Sequence, residues 1–158
     1  MRDGMISGLI RNLGIDRQAY TPAVVYVNGE YYGIQNFREK INADFIAENH
    51  GISAENVVLM DNNNATEGNA DNYFALLDFI TNNDISISEN YERVKQDLDI
   101  ANYIKYNVIE MYVVNEDWVS NNVKRWRIND SNGRWRYIAY DMDFGFGIWD
   151  ADKVNHNM

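Results

Sequence analysis

The 158-residue sequence contains no cysteine, which excludes disulfides, thiolate metal sites and a cysteine nucleophile and leaves the redox compartment open. Proline occurs once, at Pro22, so no proline-rich linker divides the chain. No run approaches the 18 apolar residues of a membrane-spanning helix. The opening "MRDGMISGLIRN" has no uninterrupted apolar stretch and does not read as a signal peptide, although a leader removed from a longer parent remains compatible with it. Histidine is scarce as well: His50 closes a helical pattern and His156 lies in the tail, and neither sits in a catalytic or ligand-like spacing. Bases number 14 against 24 acids, and residues 51–100 alone carry ten acids and two bases. No basic stripe exists, so nucleic acid is not expected as a main partner. The acidic middle reads as a solvated helical face.

What is present describes one folded domain. Hydrophobic residues make up 46% and aromatic residues 13%, enough to bury a core. "RDGMISGLIRNLG" sets Met5, Ile6, Leu9, Ile10 and Leu13 at helical spacing, with Gly14 as a stop. "AVVYVNGEYYGIQNF" reads as two strands joined at Asn28-Gly29. A short helix follows with Ile41, Phe45 and Ile46 facing inward and Gly51 at its end, and "NVVLM" reads as a buried strand.

"DNNNATEGNADN" reads as a polar loop. Its acids and amides invite calcium, but an EF-hand count from Asp61 puts Thr66 where glycine is required. "NADNYFALLDFITNN" is an amphipathic helix, and Ser86 to Glu89 has capping-box spacing before a helix bearing Tyr91, Val94 and Leu98. Asp99 caps a longer helix whose stripe of Ile100, Tyr103, Ile104, Val108 and Met111 is expected in the core. "VKRWRIN" and "RWRYIAY" then form strands on either side of the turn "NDSNG", and the second strand runs into Asp141.

That last third carries the candidate chemistry. Asp117 is followed at four and five residues by Asn121 and Asn122, then by the hairpin, then by "YDMDFGFG" at 140–147. An acid that orients an attacking hydroxyl, an amide, a hairpin and a metal-holding aspartate, in that order, are the parts phosphoryl transfer requires. Mg²⁺ takes hard oxygen ligands such as carboxylates. Asp141 and Asp143 would share one side of an extended strand and could share a cation. The residues alone also allow ordinary loop asparagines and a turn aspartate.

Several blocks resemble the CotH kinase family in order. They are "TPAVVYVNGEYYGIQNFREKINADFIAENHGI" at 21–52, "NYFALLDFITNNDIS", "NEDWVSNNVKRWR" and "WRYIAYDMDFGFG". The resemblance covers nearly the whole chain. It implies an α+β fold with an atypical protein-kinase-like core: a β-hairpin with flanking helices, a helical middle, and a second β-hairpin ending at the metal site. By resemblance, the activity is phosphate transfer from ATP, with Mg²⁺, to Ser or Thr of a coat or secreted protein. Spore coat, cell surface or secretion is the implied location; nothing bears on oligomeric state.

Carried over by position, Asp117 resembles the catalytic-loop acidic residue and Asn122 the metal-binding amide. Asp141 resembles the metal-binding aspartate that precedes Phe-Gly in kinases, and Asp143 a second ligand. Gln35, Arg38 and Glu39, in "QNFRE", would form the hinge beside adenine. The pattern departs from the family where a glycine-rich loop and a strand lysine would precede residue 40, and the chain ends soon after Asp150. Residues 1–158 therefore read as a single partial kinase-like domain of low or no activity. The alternative is a non-catalytic kinase-like interaction module. A two-carboxylate hydrolase leaves the Asp117–Asn122 spacing unexplained.

Overall fold

The computed structural model describes residues 2–147. Among them are five α-helices, a five-stranded sheet and a separate two-stranded hairpin. The helices are α1 (Arg2–Leu9), α2 (Ala43–His50), α3 (Asp71–Asn82), α4 (Ser88–Asp97) and α5 (Ile100–Val113). The strands are β1 (Asp16–Arg17), β2 (Tyr20–Val27), β3 (Glu30–Arg38), β4 (Val57–Asp61), β5 (Asn64–Glu67), β6 (Lys124–Ile128) and β7 (Arg136–Ala139). The α+β class is as the sequence predicts.

The larger sheet runs β1-β7-β6-β4-β5, antiparallel except where β1 lies parallel to β7. Alternation along β4 explains how it is covered. Val58 and Met60 join the core beneath α1, α3, α4 and α5, whereas Val57 and Leu59 meet Phe45 and Ile46 of α2, together with Trp126 and Ile138. The second hairpin of the sequence, β6–β7, is thus the middle of a sheet clothed on both faces. The β2–β3 hairpin turns at Asn28 (φ 53°) and Gly29 (φ 86°), as its Asn-Gly dipeptide predicts.

Four local expectations change. The polar segment after Asp61 is not all loop: Asn64–Glu67 pairs with β4 as an exposed edge strand. The Ser86 capping box does not form, because Asp84 takes the Ser86 N–H and α4 begins behind Ile87 without a side-chain cap. Along α1 and the turn that follows it, Ile6 and Ile10 are buried, but Met5, Leu9 and Leu13 are exposed.

The α5 stripe is also out of phase. The buried face is Asn102, Tyr106, Ile109, Glu110 and Val113, while Ile104, Val108 and Met111 face solvent. Two polar residues on that face defeat an apolar count. Asn102 is satisfied there by both backbone groups of Tyr137: its Nδ2 donates to Tyr137 O at 3.2 Å, and its Oδ1 accepts from Tyr137 N–H at 2.6 Å. Asp99 does cap α5, accepting from Asn102 N–H at 3.1 Å.

Candidate functional site

The site forms where α5, the loop after it and the end of β7 converge. Helix α5 stops at Val114, whose backbone is left-handed (φ 52°), a conformation costly for a β-branched residue. This turn brings Asn115 back onto the helix. Its N–H donates to Glu110 O at 3.1 Å and its Nδ2 to Glu110 Oε2 at 2.9 Å, with both side chains fully buried. Burial pushes the Glu110 carboxyl up to about 7, against the lowering effect of its hydrogen bonds. Asn115 Oδ1 lies 3.4 Å from the Asp117 N–H, so this buried pair supports the loop that carries Asp117.

Asp117 is held by one oxygen. Asn121 Nδ2 donates to Asp117 Oδ2 at 2.9 Å, and Asn122 Nδ2 donates to the same atom at 2.8 Å. Oδ1 takes part in neither bond. The sequence points to Asn122; the structure adds Asn121 as an equal partner. Asn122 has a left-handed backbone (φ 56°), a conformation asparagine tolerates better than most residues.

A second wall comes from the β4–β5 turn, which the sequence suggests only as part of a polar loop. Asn62 Nδ2 donates to Asn121 Oδ1 at 3.2 Å, and Asn62 Oδ1 accepts from Val123 N–H at 3.1 Å. Its backbone N–H and C=O bond Val123 O and Arg125. Beside it, Lys124 pairs with Asp61 and lies 4.8 Å over the Tyr140 ring. Burial, then the charges of Asp61 and Asp141, raise the Tyr140 hydroxyl, which places this ring among the acids.

The third wall is the turn after β7. The strand ends at Ala139, and Asp141 is left-handed (φ 52°), so Asp141 and Asp143 do not share the face of an extended strand as their spacing predicts. They nevertheless remain neighbours electrostatically. Burial, followed by the charges of Asp143 and Asp3, raises the Asp141 carboxyl; Arg38 opposes the shift, and Asp117 adds to it.

The buried Asp3 of α1 organises this end. Its Oδ1 accepts from Met142 N–H at 3.0 Å, and its Oδ2 pairs with Arg38 Nη1 at 3.2 Å. The same Arg38 nitrogen is 3.7 Å from Asp141 Oδ1. The turn is tied down further by Arg2 Nη1 donating to Gly145 O at 3.0 Å and Phe146 N–H to Val113 O at 2.6 Å. A Cβ on Gly145 would press on Ile6 and the Met142 and Val113 carbonyls at 3.1–3.2 Å, which accounts for the glycine.

Of the expected site residues, Asp117, Asn122, Asp141, Asp143 and Arg38 are therefore brought into one region. Gln35 stands opposite Ala23 in the hairpin. Glu39 accepts from Ala19 N–H at 2.8 Å, bracing the β1–β2 connection. Among the described residues no hydrogen bond joins Gln35 or Glu39 to the acids. His50 bonds Asp16 instead, with Nε2 2.7 Å from Oδ1, and His156 and Asp150 lie outside the described residues. Asp3, Asn62 and Glu110, which the sequence does not single out, carry no local signal, because their proximity is created by the fold.

Among the described residues no group of three His, Asp or Glu side chains converges as a metal cluster. Mg²⁺ does not need one, since one or two carboxylates suffice when water and phosphate complete its shell. The crowding that raises Asp141 is the situation a bound cation relieves. No helix among the described residues is long and apolar enough to cross a membrane.

A family model described as CotH kinase protein matches residues 1–158, the whole chain. No curated protein matches the chain.

Proposed function

We propose that this chain, which belongs to the CotH kinase family, provides the catalytic-base and metal-holding part of a kinase that moves phosphate from ATP to a Ser or Thr hydroxyl of a coat or secreted protein. The observation that carries this reading is the double amide clamp on Asp117 Oδ2, set beside the crowded Asp141. Bound Mg²⁺ would screen the charge of the phosphates, and Asp141, Asp143 and the Asn122 side-chain carbonyl oxygen would hold it.

The chain's own residues divide the remaining work. Asn121 and Asn122 fix the carboxylate of Asp117, which leaves Oδ1 to meet the acceptor hydroxyl and take its proton as that oxygen attacks the γ-phosphorus. The bond to the bridging oxygen breaks, and ADP departs with it. Arg38, aimed by Asp3, places a positive charge beside Asp141, where phosphate oxygens would lie. This gives Arg38 a charge-neutralising part rather than an adenine contact.

A non-catalytic interaction module is the second reading. The β2–β3 hairpin favours it, because Val24, Tyr26, Tyr31 and Ile34 are all exposed there. Calorimetric titration with an ATP analogue separates the two readings. The kinase reading requires binding that depends on Mg²⁺ and is lost in Asp141→Asn; no binding, or binding indifferent to Mg²⁺, favours the module.

A further inference from the structure

A cavity of about 220 Å³ lies at the end of the β6–β7 hairpin away from Asp141. His50, Trp126, Asp99, Arg134 and Arg136 line it. The turn that shapes it is tightly built. Arg127 donates to Ile128 O at 3.0 Å and to Asp130 O at 2.7 Å. Gly133 runs so close to Ile128 that an added Cβ would collide with its carbonyl oxygen. Arg134 follows directly, on the cavity wall.

Charge and hydrogen bonding in the cavity are unbalanced. Arg136 lies 5.9 Å over the Trp126 ring and 3.7 Å from Asp99 Oδ2, a loose pairing. Its Nε is buried and has no hydrogen-bond partner among the described residues. Asp99 already spends its other oxygen on the N-terminus of α5. Arg134 has no ion-pair partner among the described residues. His50 rests on Trp126 at 4.5 Å, and both residues are anchored by Asp16: His50 Nε2 is 2.7 Å from Asp16 Oδ1, and Trp126 Nε1 donates to Asp16 Oδ2 at 2.8 Å. His50 Nδ1 is the ring nitrogen Asp16 does not engage.

Two guanidiniums therefore line a cavity whose one acidic side chain among the described residues, Asp99, pairs only loosely and only with Arg136, in a chain whose net charge is −10. Guanidinium forks match the oxygens of phosphate.

The geometry points to a second recognition site, in which Arg134 and Arg136, with His50 at the wall, bind the phosphomonoester of a Ser or Thr already phosphorylated on the polypeptide substrate. The choice of phosphate over another oxyanion rests on the kinase reading above. From Arg136 to Ala139 the strand covers roughly 10 Å at about 3.3 Å per residue, and Asp141 lies beyond. A docked phosphate and a new acceptor hydroxyl would thus be separated by about three or more extended residues. The arrangement suits a substrate phosphorylated at several spaced positions.

The test is a titration of the full chain with a Ser-containing peptide in three forms: phosphorylated, unphosphorylated, and with Glu in place of the phosphoserine. Inorganic phosphate alone is a fourth arm. The phosphopeptide is expected to bind at least about tenfold more tightly than the other three ligands, and Arg134→Gln to remove about tenfold of that affinity. Arg134→Lys should recover only part of it, and circular dichroism establishes that each variant is folded. Equal binding of the phosphorylated and unphosphorylated peptides overturns the site, as does full affinity in a folded Arg134→Gln. Equal binding of the Glu peptide makes it a carboxylate site, and equal binding of inorganic phosphate a free-anion site; either overturns the phosphopeptide assignment. Asp117→Asn separates the two ideas: it should leave phosphopeptide affinity unchanged whatever becomes of phosphate transfer.

Discussion

Asn115 Nδ2 donates to Glu110 Oε2 at 2.9 Å, joining two fully buried side chains across the left-handed turn at Val114 that launches the Asp117 loop. A carboxyl in that position resists ionisation, and its behaviour reaches both stability and site geometry.

Burial raises Glu110 from its usual 4.5 to about 7. The folded protein therefore keeps this proton over a range in which the unfolded chain has released it. Its contribution is fully present below about pH 4.5 and is lost as pH rises through about 7, a swing of about 3 kcal/mol. Urea unfolding at pH 5 and pH 8 should show wild type losing more stability than Glu110→Gln over that interval. Parallel pH profiles for the two proteins would remove Glu110 as the cause.

Asn121 and Asn122 share Asp117 Oδ2 but differ in what else they offer. Asn121→Ala should lower kcat about tenfold with little change in the KM for MgATP, since it removes one orienting bond worth about 1.4 kcal/mol. Asn122→Ala should lower kcat and also raise the KM for MgATP, because its side-chain carbonyl oxygen is assigned to the metal. Steady-state rates over a range of MgATP concentrations distinguish the two patterns.

Gly133 allows the β6–β7 turn to close over Ile128. Gly133→Ala must displace backbone rather than a flexible side chain, and should destabilise the protein by about 1–3 kcal/mol in urea unfolding. Gly29→Ala, at an open turn where a Cβ meets nothing within 4 Å, should cost less despite its φ of 86°. It provides the comparison.

The chain shows where sequence reading works and where it stops. The run of Val57, Val58, Leu59 and Met60 announces a buried strand, Asn28-Gly29 a hairpin, and Asp99 a helix cap, because each signal is local. The order of Asp117, Asn122 and Asp141 likewise points to one region, because the hairpin between them carries the chain out and back. Strand β1 is two polar residues whose partner β7 lies more than a hundred positions away, and β5 is polar apart from Ala65, so neither has a pattern to read. Counting apolar residues misplaces the buried face of α5, which includes Asn102 and Glu110, held there by hydrogen bonds invisible in sequence. Asp3 and Asn62 enter the site through contacts between distant positions, such as those across 139 and 61 residues.

Asp117 as the catalytic base of a phosphotransferase is tested most directly by transfer of labelled phosphate from ATP to a Ser-containing coat or secreted protein. Wild type is compared with Asp117→Asn, a substitution close to isosteric. Mg²⁺-dependent incorporation is expected at the low level the sequence reading sets, falling by about a further 10²–10⁴-fold in the variant, the range for loss of a positioned general base. Incorporation undiminished in Asp117→Asn would contradict this role.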